Sequence, residues 1–168
     1  TDAIKVAIKH MDVDEKERNI ILSHQFVTGA IRSDSEEISL GGTDNVDVCA
    51  YDSFDYVALG HIHSPQKLVR DTVRYSGTPL KYSFSECRHN KSVTVVEMKE
   101  KGNVSITQIP LVPMRDMVEI KGKYDEVMAK SFYENLNADK DYFHITLTNE
   151  EDVADALLKL RTVYKNIM

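Results

Sequence analysis

Tyr56-Val57-Ala58-Leu59-Gly60-His61-Ile62-His63 is the stretch on which the reading of this chain turns. A short uncharged run rich in apolar residues reads as a strand buried on both faces. It runs straight into two histidines one residue apart. In extended backbone, positions 61 and 63 share a side, so two imidazoles can converge on one metal ion. Upstream, Asn19-Ile20-Ile21-Leu22-Ser23 is a second β-branched apolar run, also read as buried on both faces, and it ends at His24-Gln25-Phe26-Val27. If the two strands are neighbours, His24, His61 and His63 gather at one sheet edge. The carboxyl ends of strands are where open α/β-type sheets place their active sites.

Chance is a poor source for Gly60-His61-Ile62-His63: with 7 Gly and 6 His, a shuffled chain would contain Gly-His-x-His in roughly one case per hundred. A lone strand-end histidine such as His24 is, by itself, more often a hydrogen-bonded structural residue than a ligand. His10, His89 and His144 have no comparable placement and are assigned no role.

Outward from this pair, Asp2 to Met11 has a helix-compatible apolar pattern, and residues 28 to 45 read as a polar loop that includes Gly41-Gly42. Gln66 to Val69, Val73 to Ser76, Ser92 to Met98 and Val104 to Ile109 read as a β-meander. Ile109-Pro110-Leu111-Val112-Pro113 holds two of the 4 prolines and is taken as a linker. Beyond it, a strand at Met117 to Ile120, a helix at Tyr124 to Leu136, a strand at Tyr142 to Thr148 and a helix at Glu150 to Tyr164 make a βαβα unit. Asn149 is expected to cap the last helix. Leu157, Leu158 and Leu160 would lie in that unit's core with Val153 and Tyr164. The fold class is therefore α+β, with domains at 1–110 and 111–168.

The 168 residues carry 42% hydrophobic content and a net charge of −6. That balance argues against a chain that grips phosphates by bulk positive charge, but it suits a site built around divalent cations. No run is long and apolar enough to span a bilayer, and the cytoplasm is the expected location. Cys49 and Cys87 stand apart and are expected to be free, at least half-buried thiols.

Ile21-Leu22-Ser23-His24 and Tyr56 to His63 resemble the last two motifs of the calcineurin-like metallophosphoesterases. More narrowly, three segments resemble the SbcD family, the nuclease subunits of bacterial SbcCD complexes. These are His24 to Val27, Ala58 to Gln66, and Tyr75-Ser76-Gly77-Thr78-Pro79-Leu80-Lys81-Tyr82-Ser83-Phe84-Ser85-Glu86. Val112-Pro113-Met114-Arg115 and the βαβα unit resemble that family's small capping domain.

The resemblance implies half of a metallophosphoesterase β-sandwich followed by the cap. It implies two divalent metal ions, with manganese expected: His24 and His61 would bind one and His63 the other. The implied activity is exonuclease and endonuclease cleavage of DNA ends and hairpins in double-strand-break repair and recombination. The implied partners are DNA and an SbcC-like ATPase, with a homodimer of the nuclease chain inside a heterotetramer and no membrane. Ser76, Gly77 and Thr78 are candidates to approach substrate, although Gly77 could equally serve only a tight turn.

The family's early motifs, Asp-x-His, Gly-Asp-x-x-Asp and Gly-Asn-His-Asp/Glu, are absent from these residues. Catalytic groups are accordingly expected upstream, and the chain reads as a fragment that is inactive alone. A generic metallophosphoesterase for small phosphodiesters or phosphoproteins and a non-catalytic interaction piece remain as alternatives.

Overall fold

The computed structural model describes residues 2–36 and 45–168, and these gather into two compact units. One unit comprises the residues up to Leu80 with His89–Val112; the other comprises Lys81–Arg88 with Pro113–Met168. Gly41-Gly42 lies outside the described residues.

The first unit opens with α1 (Asp2–Lys9), whose Ile4 and Ile8 pack on the core as the apolar spacing predicts. It continues with β1 (Ile20–His24), β2 (Phe26–Val27), β3 (Asn45–Val46), a 3₁₀ turn at Val48–Tyr51, β4 (Tyr56–Gly60), β5 (Gln66–Leu68), β6 (Arg70–Tyr75), β7 (Ser92–Met98) and β8 (Val104–Pro110). β1, β4, β6 and β5 form one sheet in that order. The first three are mutually parallel, while β5 returns antiparallel to β6.

Val57, Leu59, Val73 and Tyr75 are buried at its centre. Each such apolar side chain contributes about 1.5–3 kcal/mol, so β4 and β6 anchor the sheet. β1 contributes less than the sequence implies. Only Ile21 is buried, while Ile20 is 51% and Leu22 80% exposed. β1 stands at the sheet's edge, and among the described residues no layer covers that face.

The four segments read as a meander divide instead. β5 and β6 join the main sheet, whereas β7 and β8 pair only with each other as an antiparallel hairpin. The hairpin continues through Pro110, so part of the expected linker is strand. Of the cysteines, both free, Cys87 is half-buried, but Cys49 lies exposed in the 3₁₀ turn.

The amino-terminal ends of β1 and β4 are tied by Asp55. Its carboxylate accepts from the Asn19 N–H at 2.8 Å, the Lys101 ammonium at 2.8 Å and the Gly102 N–H at 3.2 Å. Burial pushes its pKa up, but these donors outweigh burial and hold it below 3.8. A carboxylate depressed by folding stabilises the fold above its unfolded pKa and loses that contribution as pH falls. Stability is therefore expected to drop from about pH 4 downward. Chemical melts at stepped pH should show Asp55→Asn less stable at neutral pH and less sensitive over the acid range.

The second unit holds a 3₁₀ turn at Phe84–Glu86, β9 (Met117–Gly122), α2 (Tyr124–Val127), α3 (Lys130–Tyr133), β10 (Tyr142–Leu147), α4 (Ala156–Leu160) and β11 (Asn166–Ile167). β11, β10 and β9 form a parallel sheet in that order. Its core is Ile120, Val127, Phe143, Leu160 and Tyr164. The Tyr164 hydroxyl donates to the Val127 carbonyl at 2.6 Å, and its ring lies 4.9 Å from that of Phe143.

Both expected helices are shorter than their sequence patterns. The first divides into α2 and α3. The second shrinks to α4, entered through Asp155 in a left-handed conformation at φ +55. Asn149 does not cap it; its side-chain oxygen accepts from the Tyr124 N–H at the start of α2. A helix this short buries one residue of its apolar set. Leu160 is inside, while Leu157 and Leu158 are 49% and 72% exposed and Val153 is half-buried. The molecule is thus mixed α and β, with several small sheets and short helices, and no described helix is long and apolar enough to cross a membrane.

Candidate functional site

Three parallel strands end side by side. β1 stops at His24, which stands in register with Gly60 at the end of β4, and Leu59 of β4 is in register with Tyr75 at the end of β6. His61-Ile62-His63 and Ser76-Gly77-Thr78 therefore leave the same sheet edge.

The His24 and His61 rings meet edge-on, with centroids 5.5 Å apart. Gly60 permits this approach: a Cβ there would lie 2.8 Å from His24 Nδ1. His61 adopts φ +103, a region that costs any residue with a Cβ. β4 has already ended at Gly60, so strand alternation is not what aligns the two histidines. Ile62, 2% exposed, is driven into the core between them, and His61 and His63 both line a cleft of about 460 Å³ with His24, Ser35, Glu36, Gly77 and Thr78.

His63 is held by its backbone. Its N–H donates to Glu36 Oε1, and its carbonyl accepts from the Thr78 N–H at 3.1 Å and the Lys91 ammonium at 2.9 Å. Its Nδ1 lies 3.4 Å from the Ser35 hydroxyl. Gly77, at φ +74, fits against this turn: a Cβ there would lie 2.7 Å from the His63 carbonyl and from Pro65. Gly77 and Thr78 thus brace His63. Ser76 is exposed, and its hydroxyl donates to the Gly77 carbonyl rather than into the cleft.

Tyr75 fixes the chain just beyond His24. Its hydroxyl donates to the Gln25 carbonyl at 2.7 Å and accepts from the Val27 N–H at 2.8 Å, and burial pushes its pKa up to about 12. Val27 is fully buried, so Tyr75→Phe leaves its N–H without that acceptor and should cost about 1–3 kcal/mol. Denaturant melts of the two proteins measure the difference.

The donor set suits a metal in part. Two imidazoles bound to one ion at about 2.1 Å have centroids roughly 5 Å apart, close to the His24–His61 separation. The His63 ring lines the same cleft without joining that pair, and among the described residues no three His, Cys, Asp or Glu side chains close into a metal cluster. Both oxygens of Glu36 are engaged by backbone N–H groups, from His63 and Ser33.

Sequence reasoning had not singled out Ser35, Glu36 or Lys91. The first two sit in a loop whose composition is that of any solvated turn, and Lys91 is one cation among many. Their roles arise from contacts 27 and 28 residues away.

The sheet edge, the cleft and its histidines define a strand-end site of the kind metal-dependent hydrolases use, and similarity to known proteins narrows the class. Residues 113–168 match the SbcD_C family, described as Type 5 capsule protein repressor C-terminal domain. The SbcD chain of the nuclease SbcCD from Staphylococcus epidermidis is 33% identical over 157 residues, 93% of this chain and 41% of that protein. Its counterpart in the nuclease SbcCD of Staphylococcus saprophyticus is 34% identical over 166 residues, 97% of this chain and 43% of that protein. The chain is accordingly a relative of the SbcD family of nuclease subunits along nearly its whole length, and it spans about two fifths of the length of the curated relatives it matches.

Proposed function

We propose that this chain forms the histidine-bearing part of a metal-dependent DNA nuclease. The observation that carries the reading is the convergence of His24, His61 and His63 on one cleft at the carboxyl edge of parallel strands, in a relative of nuclease subunits. The sheet β1-β4-β6-β5 is then half of a metallophosphoesterase β-sandwich, and the unit around β9, β10 and β11 is its cap.

His24 and His61 would hold one divalent ion and His63 a second, with manganese the expected metal. Such a pair activates a water and neutralises charge on the scissile phosphate. The chain's own residues supply placement. Gly60 lets the His24 ring approach, Tyr75 fixes the turn after β1, and Ile62 anchors the segment between His61 and His63. The whole protein would cleave DNA ends and hairpins in the cytoplasm, as a homodimer with an SbcC-type ATPase that controls access, in double-strand-break repair and recombination.

Alone, the chain is expected to be inactive, because Glu36 is committed to backbone donors and no other carboxylate lines the cleft among the described residues. The test is a product-length profile of the whole protein on linear duplex DNA, hairpins and small phosphodiesters with manganese. Progressive shortening of DNA supports the proposal. Turnover of small phosphodiesters with DNA left intact overturns it in favour of a generic phosphoesterase, and cleavage by the purified chain alone overturns the division of labour.

A further inference from the structure

His63 lies beyond the end of β4, so no sheet ladder holds its peptide groups. Two buried charged side chains do so instead. Glu36, 7% exposed, accepts the His63 N–H, and Lys91, 5% exposed, donates to the His63 carbonyl. They come from opposite directions in the sequence and carry opposite charge.

Each is tied further. Glu36 Oε2 accepts the Ser33 N–H at 2.9 Å, and the Lys91 ammonium also donates to the Thr78 hydroxyl at 2.8 Å. Burying a charge is costly unless hydrogen bonds satisfy it. A neutral side chain could make either bond with a smaller desolvation cost. What the charged pair adds is stronger, shorter bonds on both faces of one residue, next to a turn that Gly77 closes tightly.

We infer that Glu36 and Lys91 clamp the His63 backbone from two sides and are positioning residues that set where its imidazole enters the cleft. The inference rests on the proposed reading of His63 as a ligand. Neither residue touches substrate in this role; each acts through His63.

The first test uses the chain itself, labelled with nitrogen-15. An N–H donated to a buried carboxylate gives a His63 amide proton shifted downfield and protected from solvent exchange. Glu36→Gln should move it upfield and speed its exchange at least about ten-fold, with the thermal melt preserved. An unshifted, fast-exchanging His63 amide in the unsubstituted chain overturns the clamp.

The second test uses the whole protein in manganese-dependent cleavage of duplex DNA. Lys91→Met should lower kcat at least about ten-fold with KM changed less than about two-fold, and Lys91→Arg should recover most of the loss. Should Lys91→Met fail to fold, Thr78→Val, which removes one partner of the ammonium, should give a smaller loss in the same parameter. Full turnover by Lys91→Met, or by Thr78→Val where that variant stands in, overturns the clamp. If His63→Ala is inactive in the same assay, the site reading survives that failure. Full activity of His63→Ala overturns the site reading and the clamp with it.

Discussion

In the whole protein, His61→Ala and His63→Ala are each expected to lower manganese-dependent cleavage of linear duplex DNA by at least about a thousand-fold. Folding stability should change by no more than about 1 kcal/mol. Both side chains line the cleft, while the core contact in this segment belongs to Ile62. Removing either imidazole therefore takes away a donor without opening a cavity.

His61 allows a sharper version. Its φ of +103 is a region glycine enters without the steric penalty of a Cβ. His61→Gly should therefore melt no lower than the parent and yet be inactive. Loss of function without loss of stability is what a strained functional residue gives, whereas a structural histidine would lose both. His10→Ala is the control, since His10 is exposed at the end of α1 and its Nδ1 contacts only the Val6 carbonyl of its own helix. Thermal melts beside the cleavage assay separate the cases.

Gly77→Ala should produce the largest loss of stability. At φ +74, a side chain strains the backbone by about 1–2 kcal/mol. The added Cβ would also lie 2.7 Å from the His63 carbonyl oxygen, Pro65 N and Pro65 Cδ. These are backbone and ring atoms, which cannot rotate away as a flexible side chain could. Together the two effects should cost about 2–4 kcal/mol. Relief would come only by moving the His63 to Pro65 turn, so activity should fall even in the fraction that remains folded. Urea melts give the first quantity, and specific activity corrected for folded fraction gives the second. A stable, fully active Gly77→Ala would mean that this turn has slack the structure does not show.

How much of this was legible beforehand differs from element to element. The strands at Tyr56–Gly60, Ser92–Met98 and Tyr142–Leu147 could be read because apolar β-branched runs between turn residues have few other uses. The adjacency of β1 and β4 could be posed only as a condition, because pairing is a long-range choice that composition does not encode. β1 misled for a related reason: Ile20 and Leu22 look like core residues, but exposure depends on which layer covers a strand. The two later helices were overextended because apolar spacing continues past the point where Asp155 turns left-handed and Asn149 finds a donor at Tyr124. The histidines stood out because Gly60-His61-Ile62-His63 is rare. Glu36 and Lys91 did not, because what marks them is burial against a backbone far away in sequence.

Metal content of the whole protein tests the central claim most directly. Manganese bound per chain, measured by elemental analysis after equilibration and confirmed by paramagnetic resonance, should be about two ions. His61→Ala and His63→Ala should each retain about one, because the two histidines serve different ions, and His10→Ala should retain both. A full complement of ions in all three variants would contradict the assignment of these histidines as ligands and the reading of the cleft built on it.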